Sequence, residues 1–193
     1  AGKSTFLTLL STLLDPSSGE IRYGEVAPGV PGAALRARIG LLGHDLHLYP
    51  ELSARENLEF FARLYGVNDL YQTVDSALKR SGIIDRGHEP ISKFSRGMRQ
   101  RVAIERALMH RPRLVLLDEP FTGLDDVAMR SLSVRLRELR LDGVIIVIAT
   151  HDLDFSSEFI DRAAILKSGK LVTVETAANK LRSSYEAHIY GGA

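Results

Sequence analysis

The sequence predicts an α/β fold: a layered core on a mostly parallel sheet, with an inserted helical subdomain. Three observations carry this expectation. Apolar runs of strand length at residues 39–42, 114–117 and 144–149 alternate with longer segments whose apolar residues recur at helical spacing. The run 114–117 ends on two adjacent carboxylates, Asp118 and Glu119, as expected of a central strand whose C-terminal edge meets a ligand. Between His44 and Ser95 the helical patterns come without a strand, as in an insertion. The 193 residues suffice for one domain with a sizeable core.

The elements follow in chain order. Residues 3–14 are apolar at helical spacing and stop at Asp15-Pro16, a helix-breaking pair. Residues 20–23 form a short strand candidate, and 25–33 a Gly/Pro/Ala-rich loop. After the strand 39–42, Ser53-Ala54-Arg55-Glu56 fits a capping box and starts a helix to about Tyr65. A second helix runs over 69–81 and stops at Gly82. Residues 82–95 read as a loop, 96–110 as a basic helix, and 125–141 as a charged amphipathic helix. The β-branched run 144–149 reads as a buried strand. Residues 163–166 and 171–174 flank Ser168-Gly169, a hairpin signal, and a short polar helix closes the chain over 176–185.

Composition narrows the classes. Hydrophobic residues make up 45% and charged residues 25%, as in ordinary globular proteins, and a formal net charge of +1 gives no global electrostatic case for nucleic acid or an anionic membrane. With no cysteine, disulfides and thiolate metal sites are out, which fits a cytosolic location. No apolar run approaches the roughly 18 residues of a membrane helix, so a membrane role would require docking to a partner. His47, His88, His110 and His188 show no spacing that suggests a metal site.

Three motifs carry chemistry. Ala1-Gly2-Lys3-Ser4-Thr5 opens a helix and matches the second half of the phosphate-binding loop G-x-x-x-x-G-K-[ST]. Backbone N–H groups there wrap phosphate, Lys3 places a charge on the β/γ-phosphates, the Ser4 hydroxyl ligates Mg²⁺, and the helix N-terminus adds partial positive charge. In the second motif, Asp118 would hold Mg²⁺ and Glu119 would act as general base toward the attacking water. The third, Ser95-Arg96-Gly97-Met98-Arg99-Gln100-Arg101, places a serine and a glycine at a helix start, an anion site; a capped basic helix touching nucleic acid is the other reading of these residues alone.

The order of the motifs resembles the ATPase domain of ABC transporters, over essentially the whole chain. The resemblance implies a P-loop NTPase of ABC type that binds ATP and Mg²⁺ and hydrolyses ATP. It implies an ATPase core over 1–44 and 95–174, a helical subdomain over 45–94 and a tail over 175–193. Ser95, Arg96, Gly97 and Met98 match the family signature, with Arg96 in place of its first glycine and Met98 in place of its glutamine. In the family this signature contacts ATP held by the opposite subunit. Thr122-Gly123-Leu124-Asp125 matches the loop that crosses the dimer interface. His151, in Thr150-His151-Asp152, matches the switch histidine that bridges γ-phosphate and the catalytic glutamate. His44 stands where the family carries its lid glutamine, ahead of Leu52-Ser53-Ala54-Arg55-Glu56-Asn57. An imidazole donates or accepts as an amide does, and as a residue type it titrates near neutrality.

Further expectations follow from the same resemblance. Two copies face each other head-to-tail around two ATP molecules, at the cytoplasmic face of the membrane, with membrane permease subunits docked near the His44 loop and the subdomain. Gly43-His44 with Leu48-Tyr49 resembles the haem exporter ATPase of cytochrome c maturation. A drug- or lipid-exporting ATPase, a non-transport ABC ATPase acting on DNA or ribosomes, and a catalytically dead regulator are the alternatives. No nucleic-acid partner is expected. The chain is expected to be cut within the phosphate-binding loop, and without the glycine-rich first half it is expected not to hydrolyse ATP.

Overall fold

The computed structural model describes residues 2–24, 32–152, 160–176 and 180–189. Helix α1 (Lys3–Leu10) and a short helix α2 (Gly32–Arg36) precede strand β1 (Ile39–Leu42). Helices α3 (Ala54–Leu64) and α4 (Leu70–Arg80) follow, then two 3₁₀ turns, Ile84–Arg86 and Ile91–Lys93. Helix α5 (Arg96–Leu108) leads to β2 (Leu114–Asp118), α6 (Asp126–Leu141) and β3 (Ile145–Ala149). A hairpin of β4 (Ala163–Lys167) and β5 (Lys170–Glu175) and helix α7 (Leu181–Ile189) complete the described chain.

Strands β1, β2 and β3 form a parallel sheet with β2 in the middle, and β4 pairs antiparallel with β5 in a second, two-stranded sheet. The period of two along β2 sorts its side chains between layers. Val115 and Leu117 face Ala103, Ile104, Ala107 and Leu108 of α5 and Leu132 and Leu136 of α6. Leu116 faces the other way, against Leu7 of α1, Ile39 and Ala149. The result is the expected α/β layering, with α1 on one face and α5 and α6 on the other.

A separate apolar cluster holds the helical stretch together. Ala54, Leu58 and Ala62 of α3 meet Val74, Ala77 and Leu78 of α4, with Ile83, Ile91 and Phe94 from the turns. Val102 and Met109 join it from the α5 segment, whose other residues pack on the sheet. α5 is therefore shared between the two clusters and is buried almost throughout from Val102 to Leu108. Arg80, at the end of α4, pairs with Glu105 of α5 at 2.7 Å. Burial raises the Glu105 carboxyl above its ordinary range even though Arg80 pulls it down.

Local chemistry explains the starts and stops. Ser53 and Glu56 form the reciprocal capping box expected of them. Asn57 is fully buried, and its amide donates to the carbonyls of Tyr49, Leu52 and Ser53 while its oxygen accepts from Tyr49 N–H. It pins the turn between β1 and α3. Gly40 has no side chain because α5 lies on it: a methyl group there would come within 2.2 Å of the Ala107 carbonyl oxygen.

Several expectations are corrected. The first helix ends at Leu10 rather than 14, because Thr12 takes a left-handed φ of 62°. Residues 20–23 do not form a strand; Arg22 pairs with Glu20, and no described strand pairs with the segment. The run 144–149 forms a strand, but not a buried one. β3 is at the end of the described sheet, with Ile145 65% exposed and only Ala149 buried. The stretch read as a loop to residue 33 ends in α2; the closing helix runs over Leu181–Ile189, and part of its expected start, 177–179, lies outside the described residues.

Candidate functional site

The parallel register brings two strand ends together. Asp118 pairs with Ala149, so Glu119 and Thr150 leave the sheet side by side. The Glu119 N–H donates to the Ala149 carbonyl at 2.8 Å, and Glu119 takes a left-handed φ of 47°. A non-glycine residue in that region stores strain, and such strain gathers at functional sites. The backbone turn directs the carboxylate toward β3. There the Thr150 hydroxyl donates to one carboxylate oxygen at 3.0 Å, and the other lies 2.8 Å from His151 Nδ1. The Thr150 hydroxyl also accepts from Asp152 N–H at 3.0 Å, which fixes its rotamer. His151 is largely exposed, while Glu119 is half-buried.

Asp118 is 8% exposed, and its carboxylate has no hydrogen-bond or ion-pair partner among the described residues. A buried carboxylate in that condition is a ready cation ligand. Among the described residues no cluster of three or more His, Cys, Asp or Glu side chains could hold a metal alone.

Gly2 is the N-cap of α1 with φ 92°, a left-handed turn that glycine adopts freely. Lys3, Ser4 and Thr5 form the first turn of α1, with Ser4 and Thr5 exposed. No side-chain hydrogen bond joins Lys3 or Ser4 to Asp118 or Glu119 among the described residues. Ala1 lies outside the described residues. His44 is exposed in the turn that follows β1.

Ser95 is the N-cap of α5, its hydroxyl accepting from Met98 N–H at 3.2 Å. Met98 Sδ accepts from Arg86 at 3.3 Å. The carbonyl oxygen of Gly123 sits where a side chain on Gly97 would be, and a methyl group on Gly123 would meet the Arg96 side chain at 3.6 Å. Gln100 donates to the Pro120 carbonyl at 3.2 Å. Asp125 accepts from Ala128 N–H at 2.8 Å and caps α6. The start of α5 is thus fastened to the loop leaving Glu119.

Sequence reasoning missed Arg106 and His110. They stand four residues apart on the α5 side and cap the outer edge of β1: Arg106 donates to the Leu41 carbonyl at 2.8 Å, and His110 Nε2 lies 3.1 Å from the Ile39 carbonyl. Phe61 and Tyr65, also four apart, cover them, the guanidinium 4.9 Å from the Phe61 ring and the imidazole stacked at 3.8 Å on Tyr65. The matching spacing of four at the C-terminal ends of α3 and α5 was the available signal.

With this geometry in view, comparison with known proteins gives the family. Residues 1–122 match the ABC transporter family model. The chain is 35% identical over 175 residues to the ABC transporter ATP-binding protein NatA of Bacillus subtilis (strain 168), covering 89% of this chain and 71% of NatA. It is 31% identical to the linearmycin resistance ATP-binding protein LnrL of the same organism, covering 91% of this chain but only 57% of that relative's length. Among solved structures, a dimeric post-hydrolysis ATP-binding cassette bound to ADP and Pi superposes with a TM-score of 0.80 at 27% identity, over 91% of this chain and 80% of that one. The chain belongs to the ABC transporter family, as its ATP-binding domain.

Proposed function

We propose that this chain binds and hydrolyses ATP to drive export through membrane subunits, working as a head-to-tail pair at the cytoplasmic face of the membrane. The observation that carries the reading is the Glu119–His151 contact of 2.8 Å at the C-terminal edge of the central strand, beside the uncompensated carboxylate of Asp118. Lys3 and the N–H groups opening α1 would bind the β/γ-phosphates. Asp118 and Ser4 would hold Mg²⁺, which when bound neutralises phosphate charge.

Glu119 takes a proton from the attacking water as its oxygen adds to the γ-phosphorus, and ADP leaves with the bridging oxygen. Thr150 and His151 hold the carboxylate in position, and His151 would meet the γ-phosphate. Ser95, Arg96, Gly97 and Met98 act on the nucleotide of the partner subunit, with Asp125 at that interface and His44 as the lid. The dimeric state named for the solved neighbour supports the pairing. Among the described residues no helix is long and apolar enough to cross a membrane.

For the cargo, the linearmycin-resistance name of one relative supports a drug-type exporter. Haem export rests on the Gly43-His44 resemblance alone. The test is ATP turnover by the full-length subunit reconstituted with its membrane subunits, with and without Mg²⁺ and with candidate cargo. Mg²⁺-dependent turnover that an antibiotic stimulates and haem does not is the expected result. No turnover with all subunits present overturns the reading.

A further inference from the structure

Thr150 gives Glu119 the one hydrogen its side chain has. Its hydroxyl accepts from Asp152 N–H at 3.0 Å and donates to Glu119 Oε2 at 3.0 Å. An ionised carboxylate only accepts, so the direction of the second bond is fixed. Thr150 is half-buried where β3 ends, and its branched side chain has few rotamers. The backbone beneath it is tied to Glu119: Asp118 pairs with Ala149 in the sheet register, and Glu119 N–H donates to the Ala149 carbonyl at 2.8 Å. Hydroxyl and carboxylate are therefore mounted on one pair of joined strand ends.

His151 is mounted differently. Its side chain is 75% exposed, and its Nδ1 lies 2.8 Å from Glu119 Oε1. Toward a carboxylate that nitrogen must carry the hydrogen. A neutral imidazole has one N–H, so it donates to one anion at a time, and only an imidazolium serves two. When a neutral His151 turns its hydrogen to the γ-phosphate, Oε1 is released and the Thr150 bond is the one that remains on Glu119. The terminal torsion of a glutamate is broad, so a carboxylate with neither holder would swing.

We propose that Thr150 is a positioning residue for hydrolysis: it keeps Glu119 Oε2 fixed throughout, so that Oε1, vacated by His151, is the oxygen that takes the proton from water. The water oxygen bonds to the γ-phosphorus, the bond to the bridging oxygen of ADP breaks, and the water proton passes to Oε1, while Thr150 keeps its own hydrogen. The proposal rests on the general-base reading of Glu119 above and divides the work between the two groups that hold it.

The experiment measures kcat and KM for ATP, with Mg²⁺, on the full-length subunit with its membrane subunits. Thr150→Val keeps the branched shape and removes the hydroxyl. A misplacement on the order of 1 Å costs up to about 10²-fold, so kcat is expected to fall about 10- to 100-fold while KM for ATP stays within about threefold. Thr150→Ser keeps the hydroxyl and is expected to recover most of that loss. Valine also removes the acceptor of Asp152 N–H, so a second background isolates the action on Glu119. With Glu119→Gln in place, adding Thr150→Val is expected to change the residual kcat by less than about threefold, because the group it positions no longer accepts a proton. If melting curves show Thr150→Val to be destabilised, Thr150→Ala, which adds no bulk, takes its place in both backgrounds. The proposal is overturned by a Thr150→Val kcat within about threefold of wild type, by a change confined to KM, by a Thr150→Ser chain as slow as Thr150→Val, or by equal losses in the two backgrounds. A Glu119→Gln kcat near wild type, or no turnover by the wild-type complex, instead overturns the general-base reading itself.

Discussion

A methyl group on Gly97 would lie 2.4 Å from the carbonyl oxygen of Gly123. The first turn of α5 therefore packs backbone to backbone on the loop leaving Glu119, and the Gln100 amide on Pro120 holds the contact shut. Helix propensity alone favours alanine over glycine at Gly97 by about 1 kcal/mol. The overlap opposes it, because forcing a group into such a contact costs about 1–3 kcal/mol. Gly97→Ala is expected to lower the melting temperature and, by shifting the loop, to lower ATP turnover. A melting temperature equal to or above wild type would mean that the loop yields freely.

Glu119→Gln keeps the side-chain shape and one acceptor oxygen, so the fold and ATP binding are expected to hold. The proton acceptor is lost. A positioned general base contributes about 10²–10⁴-fold, and turnover is expected to fall by that factor. Single-turnover assays alongside equilibrium ATP binding check both halves. Turnover within about threefold of wild type would remove Glu119 from the proposed role.

If the signature acts across the dimer, defects in the phosphate loop and the signature complement one another. A heterodimer of one Lys3→Ala chain and one Ser95→Arg chain has one site with both defects and one with neither. It is expected to retain about half of wild-type turnover when the sites work independently. Ser95 also caps α5, so its loss costs about 1 kcal/mol, and melting curves must show the chain folded before turnover is compared. A folded heterodimer with no turnover would count against exchange of signatures.

The legible parts of the sequence were those set by neighbours in the chain. The Ser53–Glu56 capping box, the Ser168-Gly169 hairpin and the Asp118-Glu119 strand end each depend on a few adjacent residues, and each is present. Residues 20–23 had strand composition, but a strand exists only where another pairs with it. The apolar character of β3 gave no sign that Ile145 would sit on an edge strand. α5 read as a basic helix, yet Arg106 is buried because the Leu41 carbonyl and the Phe61 ring, distant in sequence, enclose it. For the site, the motif order named Glu119 and His151, but not the Thr150 hydroxyl as the second fastening of the carboxylate.

His110 makes stability depend on pH in a defined window. It is stacked on Tyr65, held to the Ile39 carbonyl, and its Nδ1 has no partner. Burial lowers its pKa from 6.5 to about 4, with the Arg106 charge acting in the same direction. The unfolded chain then binds more protons at this residue between those values, so its contribution to stability is full above about pH 6.5 and is lost as pH falls toward 4. The loss is on the order of 3 kcal/mol at most. Glu105, whose pKa burial raises, slopes the opposite way over an overlapping range, and a single pH profile would mix the two. His110→Phe separates them: it keeps a ring against Tyr65, gives up the Ile39 contact and cannot titrate, while Glu105 is unchanged. Denaturant unfolding at steps from pH 7 to pH 4 is expected to show a stability gap between wild type and His110→Phe that narrows or reverses as pH falls. A gap constant across that range would show that the His110 imidazole is not held neutral by the fold.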